Sequence, residues 1–138
     1  MHCYKANCVR DNLKLIREFV TTVLRELALS DVEINQLVLA VDEICSNLII
    51  HSHKCNPNSY IEIIILNQVN EVIFEIRDRN DQPFDFSKYK KPSLKKIVKE
   101  KRKGGIGLML VNKIMDKVEV TNDNSMNVWR MSKLLSPQ

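Results

Sequence analysis

Apolar residues recur at helical spacing after Asp11: Leu13, Ile16, Phe19, Val20, Val23, Leu24 and Leu27. The spacing predicts an amphipathic helix with Asp11 at its cap. A second periodic stretch opens at Ser30, with Glu33 three residues on in a capping-box pattern. Its stripe is Ile34, Leu37, Val38, Val41, Ile44, Cys45 and Leu48, and Asn56, Pro57 and Asn58 supply the stop, so it should run to about His51. The pattern then turns β-rich over 60–66 and 71–77, across a polar turn at 67–70, and the polar run 78–83 breaks the second strand. A long connection over 87–103, with a short helix after Pro92, leads through glycines to a helix over 107–116 with Leu108, Val111, Ile114 and Met115 on its apolar face. Segments 117–121 and 128–134 read as a closing hairpin. Trp129 and Met131 alternate with Val128 and Arg130 there, so one of them packs inward. The order ααββ, connection, αββ, with a further strand near Cys3, predicts an α/β (α+β) two-layer sandwich in a single domain.

Composition sharpens this picture in two places. The chain has 138 residues and only three glycines, all between Gly104 and Gly107. Permissive backbone concentrated at one point marks unusual dihedrals or a close backbone approach. The charge is concentrated too. Of a formal net +4, residues 88–103 carry nine basic side chains against Glu100, a local +8, which leaves the remainder at −4. That is an acidic-leaning domain with one basic segment, not a uniformly basic nucleic-acid coat protein. The length is that of one domain, too short for a two-lobed kinase. No apolar run approaches a membrane span, and residues 1–10 hold no signal-peptide core. Cys3, Cys8, Cys45 and Cys55 lack tight paired spacing, which favours reduced thiols in a cytoplasmic protein.

Three positions are candidates for chemistry. Glu43, Asn47 and His51 stand at i, i+4 and i+8 of the second helix. A carboxylate and an amide oxygen stacked in this way suit a hard cation with bound phosphates, with Glu as base. Taken alone, the triplet reads more simply as a solvated helix face. Asp78, directly after a strand, is placed to accept from an exocyclic amine such as that of adenine, or to serve as a turn residue. Gly104-Gly105-Ile106-Gly107 opens a helix, where bare amides and missing β-carbons admit phosphate oxygens, and Arg102 and Lys103 add positive charge. An ordinary loop-to-helix junction would look the same. The run His51-Ser-His53-Lys-Cys55 suggests a metal site only weakly, because it straddles a helix end without a second cluster.

The order of the three boxes is more specific than any one of them. Leu39-Ala-Val-Asp-Glu43-Ile-Cys-Ser-Asn47-Leu-Ile-Ile-His51, then Ile76-Arg-Asp78 with Pro83-Phe84-Asp85, then Gly104-Gly-Ile-Gly107-Leu-Met-Leu-Val-Asn-Lys-Ile-Met-Asp116-Lys-Val-Glu-Val resemble the GHKL ATPase superfamily. Within it the chain is most similar to the anti-sigma factor serine/threonine kinases of the SpoIIAB and RsbW type, over roughly residues 6–135. The resemblance implies a Bergerat-type ATP-binding fold, with a mixed, mostly antiparallel sheet covered by helices on one face. It implies ATP and Mg²⁺ as cofactors, with Asn47 holding the metal and Glu43 as the general base. Asp78 would take the adenine amine, with Asn80 and Phe84 beside it. Gly105 and Gly107 would cradle phosphate together with Arg102, Lys103, Gly104, Ile106 and Leu108, and residues 86–103 would form the ATP lid.

The implied function is phosphorylation of a Ser or Thr on a STAS-type anti-anti-sigma partner, with sequestration of a sigma factor and homodimer formation in bacterial signalling. Positioning and charge neutralisation dominate such phosphoryl transfer. The chain departs from the family pattern at Asn80, where a glycine is usual, and at Ser125-Met126-Asn127, where the closing hairpin usually has Gly-Thr. Those departures motivate a second reading, a non-catalytic module that sequesters a regulatory protein. A third, nucleic-acid binding through 88–103, requires a steep salt dependence.

Overall fold

The computed structural model describes residues 1–79, 103–123 and 126–135. Strand β1 (His2–Asn7) leads to helices α1 (Asn12–Arg25) and α2 (Asp31–Ser46), and α2 passes directly into a π-helical turn, Asn47–Ser52. Strands β2 (Tyr60–Asn67) and β3 (Glu71–Arg79) follow, then helix α3 (Lys103–Ile114) and strands β4 (Lys117–Asp123) and β5 (Met126–Leu134). The expected helix after Pro92 lies outside the described residues.

The five strands form one sheet in the order β1-β2-β3-β5-β4. The expected mixed, mostly antiparallel sheet is antiparallel in each of its four described pairings. Two of these are hairpins, which can close only that way. Period-two alternation sorts the side chains. Ile61, Ile63 and Ile65 of β2, Val72, Phe74 and Ile76 of β3, and both Trp129 and Met131 of β5 join the core formed with the helices. Ile64 and Ile73 are buried but stand outside that cluster, on the other face, where Glu75 accepts from Arg130 at 2.8 Å and Arg77 at 3.2 Å. Helices therefore cover one face and a charged ladder dresses the other.

From the helix side, α1 contributes Leu13, Ile16, Val20, Val23 and Leu24, and α2 contributes Ile34, Leu37, Ala40, Val41, Ile44 and Cys45. Each large aliphatic side chain taken fully out of water stabilises the fold by about 1.5–3 kcal/mol before its entropy cost. Helix α2 lies between α1 and α3. That central place fixes the orientation of every polar residue along it.

Local signals behave unequally at the helix ends. Ser30 accepts from the Glu33 amide at 3.1 Å while Glu33 Oε1 accepts from the Ser30 amide at 3.2 Å, the complete capping box. Asp11 occupies the cap position of α1 but makes no side-chain cap bond. The turn before it already satisfies the first amides, Asn12 N–H on Val9 O at 3.1 Å and Leu13 N–H on Arg10 O at 3.0 Å. Helix α3 begins at Lys103, ahead of the expected start at 107, so the glycines stand inside its first turns.

Candidate functional site

Helix α2 keeps regular winding up to Ser46, then widens. The His53 amide reaches back five residues to Leu48 O at 2.9 Å, and Cys55 N–H reaches Ile49 O at 2.8 Å. Wide turns of this kind are uncommon and concentrate at functional positions. Two non-glycine residues close the segment in left-handed backbone, Lys54 at φ 50° and Cys55 at φ 57°. Such conformations cost about 1–2 kcal/mol per residue and persist where tertiary contacts enforce them.

The widened turn forms one wall of a cavity of about 200 Å³, lined by Ile44, Asn47, Leu48, His51, Ser52, Leu108 and Trp129. Its walls therefore come from α2, the π-helical turn, α3 and β5. Aliphatic and aromatic surface dominates, with Asn47, His51 and Ser52 as polar groups. A cavity with that lining suits a flat, largely apolar heterocycle carrying a few polar handles. His51 faces it from a winding wider than the expected α-helical spacing.

Glu43 lies one helical turn before Asn47 and does not line the cavity. Its carboxylate sits against α3, where a β-carbon built on Gly107 would come within 2.1 Å of Glu43 Oε2. The missing side chain of Gly107 is thus the space that the Glu43 carboxylate occupies between α2 and α3. Burial raises the Glu43 carboxyl above its ordinary range, and the neighbouring Asp42 adds a smaller push in the same direction. Asp42 is itself held by Arg17 at 3.0 Å.

Asp78 ends the inward-facing row of β3, paired with Ile61 on one side and Asn127 on the other. Its side chain is 1% exposed and that of His53 is 7% exposed. His53 Nε2 contacts Asp78 Oδ1, whereas Asp78 Oδ2 is buried without a hydrogen-bond partner. A buried carboxylate oxygen left unsatisfied costs at least about 1–3 kcal/mol, so it stands ready for a donor brought by a ligand. The Cys8 thiol is pushed up to about 12, first by burial, then by the Asp78 carboxylate and by Cys55.

Of the residues singled out from sequence, Asn47 and Leu108 meet on the cavity wall, and Glu43 and Gly107 meet on the adjoining helix contact. Lys103, Gly104, Gly105 and Ile106 form the first turn of α3, and an α-helix leaves the amides of its first three residues, Lys103 to Gly105, without internal partners. Asn80, Phe84, Arg102 and the lid up to residue 102 lie outside the described residues. The sequence pattern gives no hint of the His53–Asp78 pairing. The histidines of 51–55 invite a metal reading, yet His51 faces the cavity and His53 faces Asp78. Among the described residues, no cluster of His, Cys, Asp and Glu is arranged to hold a metal ion.

Residues 8–133 match the histidine kinase-like ATPase domain family. The serine-protein kinase RsbW of Bacillus cereus (strain G9842) is 29% identical over 119 residues, covering 83% of this chain and 72% of that protein. The serine-protein kinase RsbW of Halalkalibacterium halodurans is 28% identical over 126 residues, covering 88% and 75%. In three dimensions the chain is similar to one in the SiaB–SiaC complex of Pseudomonas aeruginosa, with a TM-score of 0.64 and 12% identity over 98% of this chain and 90% of that one. It is also similar to the structure of the RsbU and RsbW domains of a Mycobacterium tuberculosis protein, with a TM-score of 0.63 and 11% identity over 99% of this chain but 34% of that one.

Proposed function

This chain belongs to the histidine kinase-like ATPase domain family, and from that premise we propose that it is an ATP-dependent serine/threonine protein kinase acting in a partner switch. The observation that carries the reading is Asp78 Oδ2, a buried acceptor without a partner on the inner face of β3, beside which Asn47, His51 and Ser52 give polar groups to a separate, mostly apolar cavity wall. An adenine amine supplies the missing donor. Asn47 would hold Mg²⁺ through its side-chain amide oxygen, and the ion would supply neutralisation of phosphate charge. The free first-turn amides of α3, at Lys103 to Gly105, form the anion-binding end of that helix.

ATP supplies the phosphoryl group when bound. Glu43 takes the proton of the attacking Ser or Thr hydroxyl as the new P–O bond forms and the bond to the leaving ADP breaks. Burial of Glu43 raises its proton affinity and so strengthens it as a base. Similarity to the RsbW serine-protein kinases supports a protein serine as the acceptor, which we place on a STAS-domain protein. A sigma factor would be the alternative partner, with the kinase acting as a homodimer. A non-catalytic module that sequesters a regulatory protein is the second reading, favoured by the Glu43 side chain lying on Gly107 and not on the cavity wall.

Calorimetric titration with ATP and ADP, with and without Mg²⁺, tests the first reading. Wild type should bind both nucleotides, and Asn47→Ala should lose the Mg²⁺-dependent part of the affinity while its circular dichroism is unchanged. Labelled phosphate should pass to a STAS-type protein in wild type and fail to do so in Glu43→Gln. Nucleotide binding with no Glu43-dependent transfer would leave the sequestering module as the function.

A further inference from the structure

The metal-like run 51–55 is not absorbed by the nucleotide reading, yet one of its histidines is among the most buried polar side chains near the site. His53 closes the π-helical turn, with its amide on Leu48 O at 2.9 Å. The left-handed residues Lys54 and Cys55 follow at once and reverse the chain. Wide winding and strained reversal together deliver the imidazole to the inner face of β3. There Nε2 contacts one oxygen of Asp78, and the other oxygen has no partner.

We propose that His53 is the positioning residue of the base site, which sets Asp78 to select an amino-purine over an oxo-purine. This rests on the nucleotide reading above and extends it to a residue that reading does not use. A carboxylate has two equivalent oxygens and turns freely about its terminal torsion. With Nε2 donating to Oδ1, that rotation is stopped and Oδ2 is left as a fixed, acceptor-only group. Such a group accepts from a 6-amino group and opposes a 6-oxo group, whose lone pairs face it. Discrimination of this kind is strongest where the polar group is buried and would otherwise remain unpaired. Both side chains meet that condition. The left-handed backbone at Lys54 and Cys55, which follows His53 directly, is a conformation that tertiary contacts must enforce.

The test compares wild type, His53→Ala, His53→Gln and Asp78→Asn in calorimetric titrations with ATP and with inosine triphosphate, which differs at the 6-position. A long-range proton–nitrogen spectrum of the histidine rings in nucleotide-free protein provides a readout independent of turnover. Wild type should prefer ATP. His53→Ala should lower ATP affinity by about tenfold, the scale of one buried charged hydrogen bond, with little change for inosine triphosphate. His53→Gln, whose amide can donate to the same oxygen, should recover most of the preference. The wild-type spectrum should show a protonated Nε2 on His53 that is altered by Asp78→Asn.

Equal loss of affinity for both nucleotides in His53→Ala, or an unchanged preference while Asp78→Asn loses ATP, would reduce His53 to packing and overturn the proposal with the nucleotide reading intact. Absence of ATP binding by wild type would remove both. Should His53→Ala fail to fold, His53→Gln and the spectrum decide: an unprotonated Nε2, or a Gln variant with no preference left, would also overturn it.

Discussion

Gly107 shows two opposing effects at a single residue. A methyl group there would lie 2.1 Å from Glu43 Oε2 and 2.8 Å from its Cδ, so the carboxylate would have to swing aside. Alanine is also the better helix former by about 1 kcal/mol in a helix interior. The displaced atoms belong to the end of a flexible side chain, so the steric term does not outweigh that gain. Gly107→Ala should therefore keep or slightly raise the melting temperature while phosphotransfer falls at least about tenfold, as expected when a catalytic group is misplaced by an ångström. Glu43 itself sets a pH signature. Its folded-state carboxyl titrates above the ordinary glutamate value, so the folded state binds this proton more tightly than the unfolded chain does. Wild type should lose stability relative to Glu43→Gln as pH rises from the ordinary value through the raised one, then hold a constant difference. Melting temperatures of the two proteins across that window check the sign. The acid limb of phosphotransfer should lie above the ordinary glutamate range and move down in Asp42→Asn, modestly, because burial is the larger cause.

Helix α2 is the element through which sequence reaches the site. Its start is local chemistry: Ser30 and Glu33 satisfy each other's amides, so its position is readable from four residues. Ser30→Ala should cost about 1 kcal/mol of stability in urea denaturation. Nucleotide affinity of the folded protein should be retained, because Glu43 and Asn47 lie several turns away. The far end of α2 obeys no such local rule. Nothing in the residues Asn47 to Ser52 announces a π-helical turn, which exists because the chain must carry Asn47 and His51 to the cavity and His53 to Asp78. Helix α3 shows the same division. Three glycines argue for a loop before residue 107, yet the helix starts at Lys103, since Gly107 packs on Glu43 from within regular helical backbone. Strand β1 is faint in sequence because an edge strand mixes polar and apolar residues without a long alternating run.

At the scale of the whole molecule, a single sheet with helices on one face leaves the four thiols in unequal surroundings. Cys3 is exposed, Cys55 is intermediate, and Cys8 and Cys45 are buried, all of them free. Burial pushes the Cys8 thiol up to about 12 and the Cys45 thiol higher still, so neither supplies a thiolate near neutral pH. A disulfide-exchange reagent should modify Cys3 quickly and Cys55 more slowly, and reach Cys8 and Cys45 only on unfolding. Fast modification of Cys45 in the native protein would contradict the packing of α2 on the sheet. The layer architecture and the inward residues of β2, β3 and β5 follow from periodicity, and the three ordered boxes from residue types and their order, all of it local and written directly in the sequence. Their meeting is not local. Asp78 and His53 stand 25 residues apart, as do Arg17 and Asp42, and no spacing rule links either pair. The sequence by itself determined which residues face the core and where the candidate boxes lie along the chain. Only the tertiary structure decided that Glu43 rests on Gly107 and that His53 holds Asp78, because packing of the described helices on the sheet enforces backbone windings that the local residues by themselves disfavour.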